Sequence, residues 1–198
     1  MSTAEPMLPS ERRAVARMFG DAFVDDPGWT AVGPDGRESR RRFTRRICGG
    51  ELWAAPRAGG HAFVTRDAGE PTAAIVWFGP EARGSSPWLT IAQAPGSALA
   101  GLGALRRSLA ADATMRIGHP HEPHLHVSLL AAHPGFQRGG RGGALLEAAL
   151  AEAARLGVPA YLDTANPANL PYYHRFGFRP TGEATLPRGA PLWFMQRD

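Results

Sequence analysis

Four glycines and two arginines fall within seven residues, Gln137-Arg138-Gly139-Gly140-Arg141-Gly142-Gly143, where the following apolar periodicity begins a helix. Glycine lets a backbone approach a ligand closely and take left-handed dihedrals. The first amides of a helix have no acceptor inside it, and the helix field favours an anion there. The chemistry open to this run is a phosphate cradle, with Arg138 and Arg141 adding charge and Gln137 positioning the loop or donating a bond. It is not a P-loop, lacking the terminal Gly-Lys followed by Ser or Thr, and it does not follow the Gly-x-Gly-x-x-Gly dinucleotide pattern. On spacing alone, a sharply turned helix start that binds nothing stays open.

A second group is titratable. His124, His126 and Ser128 share one face of a strand because side chains alternate, and Asp163 lies in a later strand. Imidazole is a side chain suited to proton transfer and a carboxylate can orient it, so this row could line a cleft and pass a proton; packing or a structural hydrogen bond is the alternative for each residue. His119, His121, His124 and His126 lack a convincing further ligand, so no metal site is expected. Cys48, in an Arg-rich helix, reads as an ordinary thiol rather than a nucleophile. Phe23, Trp29, Trp77, Phe78 and Trp88 could recognise a planar group, with core packing as their default use.

The elements that must position these groups follow from periodicity and breakers. Helices are predicted over 10–24 and 36–49, the first halted before Pro27-Gly28 and the second ended by Gly49-Gly50. A hairpin is predicted from strands 61–67 and 72–78, then a loop-rich stretch over 79–97. A helix over 98–116 would bury Leu99, Leu102, Leu105, Leu109 and Ala113. Strand 125–132 leads through Pro134-Gly135 to a helix over 140–156 that stops at Gly157. A strand near 159–164, a helix near 168–175 and strands from 178 and over 191–196 complete the series. The pattern suggests one α+β domain around a sheet over 1–198, with flexible residues 1–9.

The string Leu129-Leu130-Ala131-Ala132-His133-Pro134-Gly135-Phe136-Gln137-Arg138-Gly139-Gly140-Arg141-Gly142-Gly143 resembles the cofactor motif of GCN5-related N-acetyltransferases, whose Gln/Arg-x-x-Gly-x-Gly/Ala pattern falls on Gln137, Gly140 and Gly142. A second match follows in order, Asn166-Pro167-Ala168-Asn169-Leu170-Pro171-Tyr172-Tyr173-His174-Arg175-Phe176-Gly177-Phe178. Within the family, the run from Tyr161 to Phe178 and then Trp193-Phe194-Met195 looks especially like puromycin N-acetyltransferase and related small-molecule acetyltransferases.

The resemblance implies a single mixed central sheet flanked by helices, with central strands that splay near 129–132 and 160–164 to admit pantetheine. It implies acetyl-CoA as cosubstrate, main-chain groups at Leu130 and Ala132 holding the arm, and amides from Arg138 through Gly143 holding the pyrophosphate. Asn169, or alternatively Asn166, would line the cofactor path. Tyr173 would be the general acid at the leaving sulfur. Asp163 or His126 would serve as base or proton path, with His124, Ser128, Trp29 and Trp77 on the acceptor side. A small amine is the implied acceptor, with a protein amine as the alternative; a non-catalytic CoA-sensing or protein-interaction module is the competing reading.

Composition sets the outer bounds. With 198 residues, 43% of them hydrophobic, the chain fits one compact domain. A formal charge of +4 is modest, and the basic run Arg37 to Arg46 reads as a solvated helix face because Phe43 and Ile47 interrupt it, so no nucleic-acid partner is expected. The single cysteine excludes an intrachain disulfide and favours a reducing compartment. Met1-Ser2-Thr3-Ala4-Glu5-Pro6 lacks the pattern of a secretory signal, and no segment has the apolar length of a spanning helix. A cytoplasmic protein without membrane attachment is expected, as a monomer or a homodimer.

Overall fold

A computed structural model of the chain describes residues 3–82 and 95–198. Part of the loop-rich stretch 79–97, Trp88 included, lies outside the described residues. Seven strands form one sheet in the order β1-β2-β3-β4-β5-β7-β6. They are β1 (Glu5–Pro6), β2 (Gly60–Asp67), β3 (Glu70–Phe78), β4 (Leu125–Ala132), β5 (Ala160–Thr164), β6 (Arg179–Thr185) and β7 (Pro191–Arg197). Neighbours are antiparallel except β4 and β5, which are parallel, so the sheet is mixed. Glu5 and Pro6, in the stretch read as flexible, pair with Val64 and Phe63 of β2.

Helices cover both faces. On one, α1 (Arg12–Ala22) and α3 (Arg37–Ala54) bury Val15, Met18, Phe19, Cys48 and Leu52 against Val64, Ala74, Val76 and Leu129. On the other, α6 (Arg141–Leu156) and α7 (Leu170–Arg175) bury Leu145, Leu146, Ala149 and Tyr173 against Ile75, Trp77, Val127 and Leu162. A third cluster joins α2 (Pro27–Val32) and α5 (Leu102–Gly118) to Tyr161, Leu192 and Phe194. Residues 95–99 form a short α4. No helix among the described residues is long and apolar enough to cross a membrane.

Several expectations change. Pro27 and Gly28 do not merely stop a helix; Pro27 opens α2, whose amides at Gly28 and Trp29 are capped by the Asp26 carboxylate at 2.9 and 3.4 Å. Gly49-Gly50 does not end α3, which runs on to Ala54 because Glu51, Leu52 and Ala54 are buried by the sheet. Packing against tertiary neighbours outweighs the roughly 1 kcal/mol helix cost of each glycine. The largest correction concerns α5. The helix expected over 98–116 is interrupted, so Leu99, 70% exposed, falls in α4; within α5 Leu102 and Leu109 are 74% and 62% exposed, and Ala113 is exposed too, while Ala104 and Ala111 face the protein. The helix is rotated from the expected stripe, because its small side is what fits against α2 and the sheet.

The basic run on α3 is largely ion-paired. Arg37 bonds Asp25 at 3.0 Å, Arg41 contacts Asp21, and Arg42 lies 3.6 Å from Glu38.

Candidate functional site

Hydrogen-bond register opens a cleft in the middle of the sheet. β4 and β5 pair at two positions, Leu125 with Ala160 and His126 with Tyr161, and beyond them no ladder joins the strands. β4 is also bulged. Trp77 pairs with Val127 and Val76 with Leu129, leaving Ser128 outside the ladder. A bulge turns side chains from their alternating faces. Here Val127 packs toward α6 and Leu129 toward α3, while Ser128 donates to the Glu51 carboxylate at 2.5 Å.

The loop after β4 forms a cradle at one end of this cleft. His133 accepts from the Gly135 amide at 3.1 Å, and Gln137 reaches back to the Ala132 carbonyl at 3.5 Å. Arg138 and Gly140 both have left-handed backbone, with φ of 64° and 75°. Such alternation in φ turns successive N–H groups toward one side, a concavity suited to an anion. Gly140 then caps α6 without a side-chain bond, leaving the first-turn amides of Arg141, Gly142 and Gly143 with no acceptor in the helix. Gly142 and Gly143 serve a second need: a Cβ on either would lie 3.2 Å from the Tyr172 hydroxyl or 3.3 Å from the Phe176 ring, so α7 approaches closely.

Two buried polar atoms at the cradle lack a protein partner, the Tyr172 hydroxyl and Arg141 Nε. The Arg141 guanidinium lies over the Phe136 ring at 4.8 Å and 3.6 Å from Asp67. Burial pushes the Tyr172 phenol up to about 12, so it is a neutral donor. Uncapped amides, an arginine and an unsatisfied phenol form a donor set that fits a phosphate group.

At the other end lies a cavity of about 950 Å³. It gathers His124, His126, Ser128, Asp163, Leu130, Asn169, Tyr173 and Trp29 from the sequence-derived set. Asn169 donates to Thr164 Oγ1 at 3.3 Å and lines the cavity, whereas Asn166 caps the neighbouring turn by accepting from the Ala168 amide at 3.1 Å. Trp77 is the exception. It is 3% exposed, stacked at 4.7 Å on Phe63 in the α6-side core, because it alternates with Phe78, which does line the cavity. Trp77, expected on the acceptor side, therefore does not line this cavity, and Phe78 does.

His126 Nε2 stands 3.8 Å from Asp163, beyond hydrogen-bond length but close enough for ionic attraction. His119, His124 and His126 surround the Tyr161 ring with centroids 5.0, 5.5 and 5.2 Å away. Burial first, then the neighbouring histidines, pulls the His119 imidazole down to about 4, and burial lowers His124 as well. These rings form an aromatic cluster; among the described residues no group of three His, Cys, Asp or Glu is placed to hold a metal ion.

Tyr173, on α7, is buried apart from its opening to the cavity. Burial, reinforced by Tyr172, Asp163 and Asp26, raises its phenol well above the ordinary value, keeping the proton in place. Cys48 is buried with its thiol pushed up by burial and by Glu51, which removes it from nucleophilic use.

Glu51 and Asp26, two lining carboxyl groups that burial raises, were not singled out from sequence. Glu51 is 5% exposed, and burial pushes its carboxyl above the usual range. Asp26 is raised by burial too, although its bonds to α2 amides pull the other way. The extension of α3 past Gly50 is what delivers Glu51, and the glycine pair concealed it. The Asp26-Pro27 pairing was a legible cap signal for Asp26.

Residues 51–178 match the model of the acetyltransferase (GNAT) family. Solved structures agree in fold. The histone acetyltransferase HPA2 and related acetyltransferase from Corynebacterium glutamicum ATCC 13032 is 22% identical with a TM-score of 0.72, covering 100% of this chain and 96% of that one. The ribosomal-protein-S18-alanine N-acetyltransferase from Escherichia coli is 15% identical at a TM-score of 0.57, with 100% and 93% covered. The structure of yncA from Salmonella typhimurium with its cofactor acetyl-CoA is 17% identical at a TM-score of 0.58, with 99% and 92% covered. A family match over more than half the chain, on a mixed sheet opened between β4 and β5 beside an uncapped helix start, places it: the chain belongs to the acetyltransferase (GNAT) family.

Proposed function

We propose that this protein transfers an acetyl group from acetyl-CoA directly to a primary amine on a small molecule. The observation that carries the reading is the two-position pairing of β4 and β5, which joins a phosphate-fitting cradle to a titratable cavity through one opening. Acetyl-CoA supplies the acyl thioester. Amides from Arg138 to Gly143 hold its pyrophosphate, with Arg141 and the Tyr172 hydroxyl as further donors. Main-chain groups of Leu130 and Ala132 on the opened edge of β4 hold the pantetheine arm, and Asn169 lines its path.

Tyr173 is placed to donate its proton as the sulfur leaves, because burial keeps its phenol protonated. The nitrogen must shed protons, and His126 with Asp163 offers a route toward the cavity. A cavity of this size has room for a small acceptor. The resemblance of the C-terminal half to puromycin N-acetyltransferase points the same way.

Incubation of the purified protein with acetyl-CoA and a mixed panel of small amines, aminonucleosides and peptides, followed by mass spectrometry, tests the reading. The expected result is one added acetyl group on a small amine. Acetyl-CoA binding with no acetylated product would favour a CoA-sensing module instead.

A further inference from the structure

Arg141 stands where a helix least favours a cation. It is the first residue of α6, and the positive end of the helix field opposes a guanidinium there. Its side chain is nevertheless only 18% exposed and is held from three sides. The Phe136 ring lies under the guanidinium at 4.8 Å, and Asp67 Oδ1 is 3.6 Å from Nη2. Gly139 supplies the third constraint. A Cβ at that position would fall 2.7 Å from Nη1, and Gly139 does not have left-handed backbone, so the glycine serves room rather than dihedral freedom. The edge left over is Nε, which is buried with no partner among the described residues. The Tyr172 hydroxyl shares that condition, and it lies against the same first turn, 3.2 Å from where a Cβ on Gly142 would be.

Asp67 comes from a distant part of the sheet. It closes β2 and pairs with Glu70 across Ala68-Gly69, whose φ of 48° and 85° give the left-handed pair of a tight hairpin turn. A turn of two residues fixes where its flanking side chains stand. For an anionic ligand alone, a carboxylate beside the cradle is a liability, because like charges repel. Its use must run through Arg141.

Resting on the acetyl-CoA reading, we propose that Asp67 is a positioning residue for the donor: with Phe136 and the space at Gly139, it fixes the Arg141 guanidinium so that Nε is presented to a donor phosphate. A guanidinium already fixed loses little freedom when the phosphate arrives, and the bond it makes is charge-assisted. Asp67 acts on affinity in two opposed ways, by repelling the phosphate and by orienting Arg141. Orientation prevails, since the Asp67 side chain is 55% exposed and solvent screens its repulsion, whereas the Arg141 side chain is mostly out of water.

Calorimetry with CoA tests this in the full chain. Arg141→Gln should weaken CoA binding about tenfold or more, and Asp67→Asn and Gly139→Ala about threefold each. Asp67→Glu should restore part of the Asp67→Asn loss. The decisive readout is coupling: in an Arg141→Gln background, neither Asp67→Asn nor Gly139→Ala should weaken CoA binding further. Melting temperatures separate this from a folding role, because Arg141→Gln removes a cation from a helix start and should not lower stability. Unchanged or tighter CoA binding in Asp67→Asn overturns the proposal, and so does an equal loss in both backgrounds, which would trace the effect to the hairpin or loop itself. Gly139→Ala approaches the same guanidinium from the loop, so the coupling is still read if the Asp67 variants do not fold. These outcomes leave the donor reading standing, since CoA is bound throughout. A parent protein that binds no CoA removes that reading, and the proposal with it.

Discussion

The cradle at α6 and the cavity beyond β4 are built from different material. At the cradle, direction comes from backbone: φ of 64° and 75° at Arg138 and Gly140, then a helix start that no side chain caps. In the cavity, it comes from side chains on separate elements, with Glu51 on α3, His126 and Ser128 on β4, Asp163 on β5 and Trp29 on α2. A backbone site has a fixed shape and no titration of its own. A side-chain site can change specificity by single substitutions, and it feels pH.

Tyr173, where the two regions meet, carries the largest expected effect. Tyr173→Phe should lower kcat by about 10² or more, the usual range for a general acid, while calorimetric affinity for acetyl-CoA stays unchanged. The ring is part of the core and its shape is conserved in the variant. A full rate in a regime limited by chemistry would remove Tyr173 from the proton path.

Within the cradle, Gly140→Val separates backbone from side chain. A Cβ at Gly140 meets nothing within 4 Å, so crowding plays no part. What remains is the left-handed φ of 75°, costing a β-branched residue about 1–2 kcal/mol. If the strain is relieved by turning the loop amides, acetyl-CoA binding weakens by about tenfold and amine KM is unaffected. A variant that weakens amine binding equally would show that the two regions are not independent.

The same division explains what the sequence made legible. The cradle was readable because Gln137 to Gly143 is contiguous and glycine marks unusual backbone. The strands over 125–132 and 159–164 followed from the residue pattern, whereas their splay was implied only by the family resemblance. Glu51 was not readable, because Gly49-Gly50 signals a helix end and burial against the sheet overrides that signal. Trp77 and Phe78 are adjacent, and period 2 sends them to opposite faces without saying which face meets the acceptor. The bulge at Ser128 leaves no mark in composition, yet it sets the hydrogen bond to Glu51.

A smaller effect should follow acid. His119 titrates at about 4 in the folded chain, against an ordinary value near 6.5, with burial as the first cause. The folded state therefore binds fewer protons than the unfolded one between these values, and its stability rises with pH there. The stabilisation of a neutral His119 is present above about pH 6.5 and is lost as pH falls toward 4. Solvent reaches part of this ring, so the loss is a fraction of the ideal. The melting temperature should fall more steeply over this window in the parent than in His119→Gln, and His119→Gln should leave the pH dependence of acetyl-CoA binding unaltered. Identical slopes would place the titrating group elsewhere.

The smallest expected effect tests how α5 faces the cavity. Leu109 is 62% exposed, whereas Ala111, two residues on, is 3% exposed and lines the cavity. Leu109→Gln keeps helix propensity nearly constant, so stability should change by less than about 0.5 kcal/mol and amine KM not at all. Ala111→Leu adds volume where Ala31, Tyr161 and Phe194 already pack, and should cost about 1–3 kcal/mol while raising amine KM. Denaturant melts and amine titrations on this pair decide the helix orientation. A large loss in Leu109→Gln with none in Ala111→Leu would restore the leucine stripe to the interior and would move the cavity wall with it.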